Sequence, residues 1–163
     1  MNKLERNRNK MMEFTFYPYE GIGPVKFLMS RDEVRKIMGL PYKDVTRMTD
    51  NGPYIRDFVV KQLFIGYNDE LKCNRFELCR GYDIDIIFEG ESILRRPYKE
   101  LLEHYQKLDP EIYIDREGFT SLKYGFSIWC PDYYYEEDAM PETLLGFVPH
   151  YYDDCLREMG LMK

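Results

Sequence analysis

The chain has 163 residues, about the length of one domain, and its 44% hydrophobic and 32% charged residues exclude wholesale disorder. Its formal net charge of −6 argues against a general nucleic-acid binder, which needs a basic surface. The acidity is concentrated, because residues 120–163 hold three basic and eight acidic side chains. No lysine or arginine stands between Lys123 and Arg157. A region of this charge attracts a basic partner.

The cysteines and histidines indicate neither a metal site nor a cofactor. Four cysteines occur without a C-x-x-C spacing, and the two histidines, His104 and His150, complete no zinc pattern. A chain of this length does not depend on disulfides, so we expect buried free thiols. The basic start lacks the apolar core of a signal peptide, and no run reaches the roughly 20 apolar residues of a membrane helix. We therefore predict a cytoplasmic protein without membrane contact.

The first elements in the chain are a tail and a strand. Residues 1–12 are polar and basic, which predicts a flexible tail before a single domain over 13–163. Phe14 and Phe16 alternate with polar residues, as in a strand. Gly21 to Pro24 predict a turn, and a short strand follows.

A short helix is specified at both of its ends. Ser30 followed by Glu33 three residues later is a capping box. Gly39 with Pro41 just beyond is typical of a helix end. The pattern predicts a helix between these signals.

The middle of the chain predicts strands, turns and a second helix. Residues 42–53 are polar and predict a loop, and 54–68 predict one long strand or two with a bend. Strands are predicted over 71–79 and 82–88, and a helix over 97–108. In the strand over 71–79, the side chains expected on one face are Cys73, Arg75, Glu77 and Cys79.

The C-terminal part predicts about three strands over 112–130 and a last helix from near Pro149 to Gly160. Strands that follow one another directly favour antiparallel pairing. We therefore predict an α+β domain with an antiparallel sheet and about three helices. Two strand-helix-strands half-repeats, roughly 24–80 and 82–130, are a hypothesis. The alternative is a single curved sheet wrapped around one helix.

Few residues support catalysis. The chain contains no G-x-G-x-x-G, P-loop, H-E-x-x-H or G-x-S-x-G motif. Cys130 with His150 is a candidate nucleophile–base pair, but its acidic flanks disfavour a thiolate. Asp83 and Asp85 share one strand face, so a small metal-dependent hydrolase is an alternative function.

The segment WCPDYYYEEDAMPE, residues 129–142, places three tyrosines directly before three carboxylates. In an extended segment the tyrosines point alternately to opposite sides, so we expect them to be exposed, with Trp129 anchoring the segment in the core. HYYDD nearby repeats the chemistry. Exposed tyrosines and carboxylates suit a basic protein partner. The partner-binding residues predicted here are Asp132, Tyr133, Tyr134, Tyr135, Glu136, Glu137, Asp138, Tyr151, Asp153 and Asp154.

Residues 21–41, GIGPVKFLMSRDEVRKIMGLP, resemble a strand, G-M-S/T-x-x-x-V, helix, G-x-P signature of small bacterial α+β proteins. The outer-membrane assembly lipoprotein BamE and the β-lactamase-inhibitor-protein fold share it. Leu28 replaces the glycine and no lipoprotein cysteine stands near the start, so the lipoprotein function is not implied.

The acidic and aromatic character of the chain, without catalytic motifs, is similar to that of immunity proteins of bacterial polymorphic-toxin and contact-dependent growth inhibition systems. The resemblance implies a monomer or weak dimer that occludes the active site of a cognate toxin, expected to be a basic nuclease, without touching nucleic acid. A regulator or anti-defence protein that binds a host factor is an alternative with the same surface chemistry.

Overall fold

A computed structural model describes residues 11–59, 62–81 and 83–162. The strands are β1 (Met12–Tyr17), β2 (Gly21–Ile22), β3 (Val25–Lys26), β4 (Tyr42–Asp44), β5 (Arg47–Thr49), β6 (Gly52–Val59), β7 (Leu63–Tyr67), β8 (Cys73–Cys79), β9 (Ile84–Phe88), β10 (Glu91–Ser92), β11 (Tyr113–Ile114), β12 (Gly118–Ser121), β13 (Phe126–Trp129) and β14 (Thr143–Phe147). The helices are α1 (Arg31–Met38), α2 (Tyr98–Leu108) and α3 (Asp153–Glu158), and a 3-10 helix covers Pro131–Tyr134.

The strands form two sheets that share one hydrophobic core. The small sheet has the order β10-β9-β1-β2-β3. The large sheet has the order β11-β12-β13-β14-β8-β7-β6-β4, and β5 also pairs with β6. β1 and β9 are parallel, and every other ladder among the described residues is antiparallel. The predicted α+β class, with three helices and mainly antiparallel sheets, is confirmed.

The order of elements repeats along the chain. Each half starts with strands of the small sheet, continues with a helix, and ends with antiparallel strands of the large sheet. The last strands of the halves, β8 and β14, pair with each other, as do the first strands, β1 and β9. This order agrees with the half-repeat hypothesis. The halves extend beyond 24–80 and 82–130, because β1 and β14 lie outside those ranges.

The core lies between the small sheet and the inner face of the large sheet. Alternation along the strands directs Phe76 of β8 and Phe126 of β13 inward. The Phe16 ring of β1 meets them edge to face at centroid distances of 5.7 and 6.0 Å. From α2, the ring of Tyr105 lies 4.9 Å from that of Phe126. Aromatic contacts therefore join the two sheets and α2.

The ends of α1 are as predicted. Ser30 Oγ accepts a hydrogen bond from the backbone N–H of Glu33 at 3.2 Å. The Glu33 carboxylate in turn accepts from the backbone N–H of Ser30 at 2.7 Å, which completes the capping box. Gly39 ends the helix with φ of 59°, a left-handed conformation that glycine adopts without steric cost.

A buried carboxylate fixes α1 to the large sheet. Asp57 of β6 is fully buried, and Arg31 and Arg35, one helical turn apart, both donate to it, at shortest distances of 2.6 and 2.8 Å. The hydroxyl of Tyr67 donates to the same carboxylate at 3.2 Å. Burial by itself raises the pKa of Asp57, but hydrogen bonds from Arg35 and Arg31 outweigh it and leave the pKa below its usual value. The carboxylate is therefore ionised and positions the helix.

An irregularity in β8 decides which of its side chains share a face. Gly66 pairs with Arg75, but Tyr67 pairs with Cys73, so Asn74 is an extra residue on β8. The expectation that Cys73 and Arg75 share a face is wrong. Cys73 is buried in the core, whereas Arg75 crosses the opposite, outer face of the sheet above Gly66.

Three strands in regions not predicted as strand belong to the large sheet. The predicted loop 42–53 contains β4 and β5, whose side chains are all exposed, so neither strand has a buried apolar face. TLLGF forms β14, which pairs with both β8 and β13. Gly146 within it passes so close to Phe76 that a Cβ would lie 2.2 Å from the ring, which explains a glycine inside a central strand.

Both ends of the chain differ in extent from the prediction. β1 begins at Met12, inside the predicted tail 1–12, and residues 1–10 of that tail lie outside the described residues. The last helix is shorter than predicted, since α3 covers only Asp153–Glu158 and buries no side chain. The four cysteines are free, as expected, but only Cys73 and Cys130 are buried.

Candidate functional site

The acidic and aromatic segment after β13 begins with a 3-10 helix. Pro131 occupies the first turn, where its missing N–H costs nothing, and the N–H groups of Tyr135 and Glu136 both bond to the carbonyl of Asp132. The expectation of an extended segment with alternating tyrosines is therefore wrong. We refer to residues 132–138 as the acidic ridge.

Tyr133 attaches the acidic ridge to the body of the domain. Its ring stacks on the buried Tyr98 of α2 at 4.7 Å, and its hydroxyl donates to the backbone carbonyl of Asp115 at 2.7 Å. Desolvation, followed by its contact with Tyr134, raises the pKa of Tyr133 to about 12. Tyr133 thus holds the ridge in a fixed position on the domain.

Trp129 does not anchor the segment, contrary to expectation. Phe126 and Ile128 of β13 point inward, so the next residue points outward, and Trp129 is 43% exposed. The buried residue at the start of the segment is Cys130, whose thiol donates to the carbonyl of Met140 at 3.4 Å. Burial, followed by nearby carboxylates, raises the pKa of Cys130 to about 11.

The remaining side chains of the acidic ridge face solvent. Tyr134 is 64% exposed while it stacks on Tyr133 at 4.3 Å, and Tyr135 is 88% exposed. The exposed carboxylates are Asp132, Glu136, Glu137 and Asp138. In the part of the chain that the structure describes, only Glu137 of these four forms an ion pair, with the exposed Lys99 at 3.2 Å. Exposed pairs of this kind contribute little, so the ridge keeps its negative charge.

The second predicted patch, HYYDD, is largely engaged within the protein. The rings of Tyr151 and Tyr152 pack on the buried Phe147 at 5.5 and 4.9 Å. The Asp153 carboxylate lies 2.9 Å from the ring nitrogen of His150. Asp154 is exposed and pairs with a neighbouring arginine of α3 at 3.1 Å.

The outer face of the large sheet carries a cavity that includes one residue of the second patch but none of the acidic ridge. Its volume is about 350 Å³, and both Trp129, just before the ridge, and Tyr152 line it. Three carboxylates that the sequence did not suggest as site residues also line it, from β8 and from the turn before β12: Glu77, Asp115 and Glu117.

No protein-family model, curated protein or solved structure matches this chain. The resemblance of residues 21–41 to the BamE-like signature, and that of the whole chain to immunity proteins, thus stay predictions. Within residues 11–59, 62–81 and 83–162, no helix is long and apolar enough to cross a membrane. The same residues contain no group of three metal-ligating side chains.

The residues considered for catalysis have structural neighbours. Asp85 is buried, and its carboxylate accepts from the hydroxyl of Ser92 at 2.8 Å, while Asp83 is exposed before β9. The thiol of Cys130 donates to a carbonyl, and the ring of His150 lies against an aspartate. These contacts explain the positions of the side chains without a substrate.

Proposed function

We propose that the protein is a non-enzymatic binding protein of the bacterial cytoplasm that neutralises a cognate toxin, as immunity proteins do. The observation that carries the proposal is the acidic ridge. It presents two exposed tyrosines, Tyr134 and Tyr135, and Tyr133 fixes it to the domain. Isolated exposed aromatics are common, but adjacent ones on an ordered support suit an interface.

The order of the ridge favours tight binding. A tyrosine side chain supplies a large contact area and loses little conformational entropy when it is immobilised. The stacking of Tyr134 on Tyr133 at 4.3 Å, and of Tyr133 on Tyr98 at 4.7 Å, restricts these rings before any partner arrives. A preorganised surface reduces the entropic cost of association.

The charge of the ridge selects the partner. A nuclease or another toxin that acts on nucleic acid holds phosphates with lysine and arginine side chains. The carboxylates of the ridge pair with those side chains while the tyrosines pack beside them, so the active site is occluded. Opposite charges also accelerate the encounter, and salt weakens this effect.

The test uses the product of the reading frame adjacent to the gene for this chain. Co-expression of the full chain is expected to suppress its toxicity, and the purified proteins are expected to bind each other. Replacement of Tyr135 by alanine is expected to cost about 2 kcal/mol of binding free energy. The double variant Glu136→Lys, Glu137→Lys is expected to slow association and reduce its dependence on salt.

The matched controls are Tyr17→Ala and the double variant Glu70→Lys, Glu103→Lys. They make the same changes at exposed positions outside the ridge. Binding kinetics at low and high salt compare the two sets. The proposal is wrong if the ridge variants and the controls give the same kinetics, or if the adjacent gene product neither is toxic nor binds the chain.

A further inference from the structure

The cavity on the outer face of the large sheet is lined by strand residues, by two aromatic side chains and by a turn. Outward side chains of β12, β13, β14 and β8 form the floor. Trp129 and Tyr152 form aromatic walls, and Asp115 and Glu117 reach in from the turn before β12. The volume of about 350 Å³ falls at the lower end of the range for sites that enclose a ligand group.

The lining of the cavity is negatively charged. It includes three carboxylates, those of Glu77, Asp115 and Glu117, and no lysine or arginine. Among the described residues, Asp115 and Glu117 form no ion pair. The Glu77 carboxylate pairs with Arg56 at 3.5 Å and accepts from the hydroxyl of Tyr54 at 3.3 Å. The N–H of Glu117 donates to the Asp115 carboxylate at 2.8 Å, which orders the turn. The lining therefore favours an occupant with positive charge.

The aromatic side chains of the cavity favour one kind of cation. Trp129 lies on the outward side of β13 and is 43% exposed, although indole is among the more costly groups to leave in water. Tryptophan is the best aromatic partner for a cation, and guanidinium stacks on its face more often than ammonium does. A planar guanidinium also offers five N–H donors for carboxylates around its edge.

We propose that this cavity receives an arginine side chain of the protein partner. The guanidinium lies against Trp129, and its N–H groups donate to the carboxylates of Glu77, Asp115 and Glu117. The inference rests on the proposed function, because it assigns the recognition chemistry of the same partner. The acidic ridge and the cavity are connected, since the hydroxyl of Tyr133 bonds to the carbonyl of Asp115.

The experiment uses peptides and the full chain, without the toxin. Trp129 is the only tryptophan, so its indole N–H gives a single NMR resonance in the cavity. The probe is acetyl-Gly-Arg-Gly-amide, and the comparison peptide carries citrulline, which keeps the shape of arginine without its charge. The arginine peptide is expected to shift the resonance saturably at millimolar concentration, and the citrulline peptide is not.

Charge-removing variants assign the effect to the cavity. Glu117→Gln and Glu77→Gln are each expected to weaken binding of the arginine peptide by about tenfold, the loss typical of one charge-assisted hydrogen bond. Glu70→Gln, an exposed change outside the cavity, is the matched control and is expected to bind as the wild type does. The amide NMR spectrum of each variant reports whether the fold is intact.

The inference is overturned if the citrulline peptide shifts the resonance equally, if the shift does not saturate, or if both cavity variants bind as tightly as the control. Failure here is distinct from failure of the proposed function. If ridge variants weaken toxin binding but the arginine peptide does not shift the Trp129 resonance, only the assignment of arginine to the cavity is wrong. If the peptide binds the cavity but ridge variants leave toxin binding unchanged, the proposed role of the ridge is wrong.

Discussion

Replacement of Asp57 by asparagine is expected to lower the free energy of unfolding by about 3 kcal/mol or more. Asp57 is fully buried, and the side chains of Arg31 and Arg35 are only 13% and 22% exposed. The asparagine amide has one acceptor oxygen and no charge, so Arg35 loses its ionic partner and Arg31 keeps only the exposed Asp44. A buried charge left without its partner costs about 3–5 kcal/mol, a large share of the 5–15 kcal/mol that stabilises a typical domain.

Asp44→Asn is the matched control. Asp44 lies 3.0 Å from the same guanidinium of Arg31, but its side chain is 54% exposed. Water compensates for the loss of an exposed pair, so this variant is expected to cost less than about 1 kcal/mol. Both variants remove a carboxylate that pairs with Arg31, and they differ in burial and in the second arginine, Arg35, which Asp57 alone contacts.

Urea unfolding measures both variants, followed by Trp129 fluorescence and by circular dichroism. The slope of free energy against denaturant is expected to stay unchanged while the midpoint falls. A loss of about 3 kcal/mol corresponds to a decrease in Tm of about 6–12 °C for a domain of this size. If Asp57→Asn and Asp44→Asn agree within about 0.5 kcal/mol, the buried carboxylate does not hold α1 in place.

The pH dependence gives a second test of the same pair. The pKa of Asp57 is lowered in the folded state relative to its unfolded value of about 3.9, so the folded state binds fewer protons. Its stabilising contribution is complete above that pH and is lost as the pH falls through the folded pKa. The difference in stability between the wild type and Asp57→Asn is therefore expected to shrink below about pH 4. A constant difference down to pH 2 contradicts the assignment.

The remaining predictions concern a helix cap, a close contact and the thiols. Ser30→Ala removes the capping box and is expected to cost about 1 kcal/mol in urea unfolding; no change would show that the cap is dispensable. Gly66→Ala places a Cβ 2.4 Å from the guanidinium carbon of Arg75 and is expected to cost about 1–3 kcal/mol in the same assay. The exposed Cys155 is expected to react with a thiol reagent far faster than Cys73, because burial raises the pKa of Cys73 to about 12. Equal reaction rates of the two thiols would contradict the burial of Cys73.

Local signals in the sequence were sufficient for elements whose determinants lie within a few residues. Both ends of α1 follow from Ser30, Glu33 and Gly39, since a cap is a contact between near neighbours. Apolar and polar alternation predicted β1 and β9 for the same reason. The edge strands β4 and β5 were not predictable in this way, because both of their faces are exposed.

The composition of the candidate site was predictable from the sequence, but its shape was not. The composition of residues 129–142 identified an acidic and aromatic surface, and most of its side chains are exposed. Its shape was not predictable, because stacking of Tyr133 on Tyr98 of α2 and its hydrogen bond to Asp115 decide which tyrosine is held. Trp129 was expected in the core, but the alternation along β13 places it on the outer face.

The sequence alone determined the class of the fold, the helix with its caps, the absence of known catalytic motifs and the placement of acidic charge, because each depends on composition or on neighbours along the chain. Tertiary structure decided which distant side chains meet. Asp57 joins two arginines 22 and 26 residues away, and the bulge at Asn74 turns Cys73 into the core. Glu77 and Glu117 reach one cavity from separate halves of the chain. Pairing between strands sets these contacts, and its register depends on packing across the whole sheet.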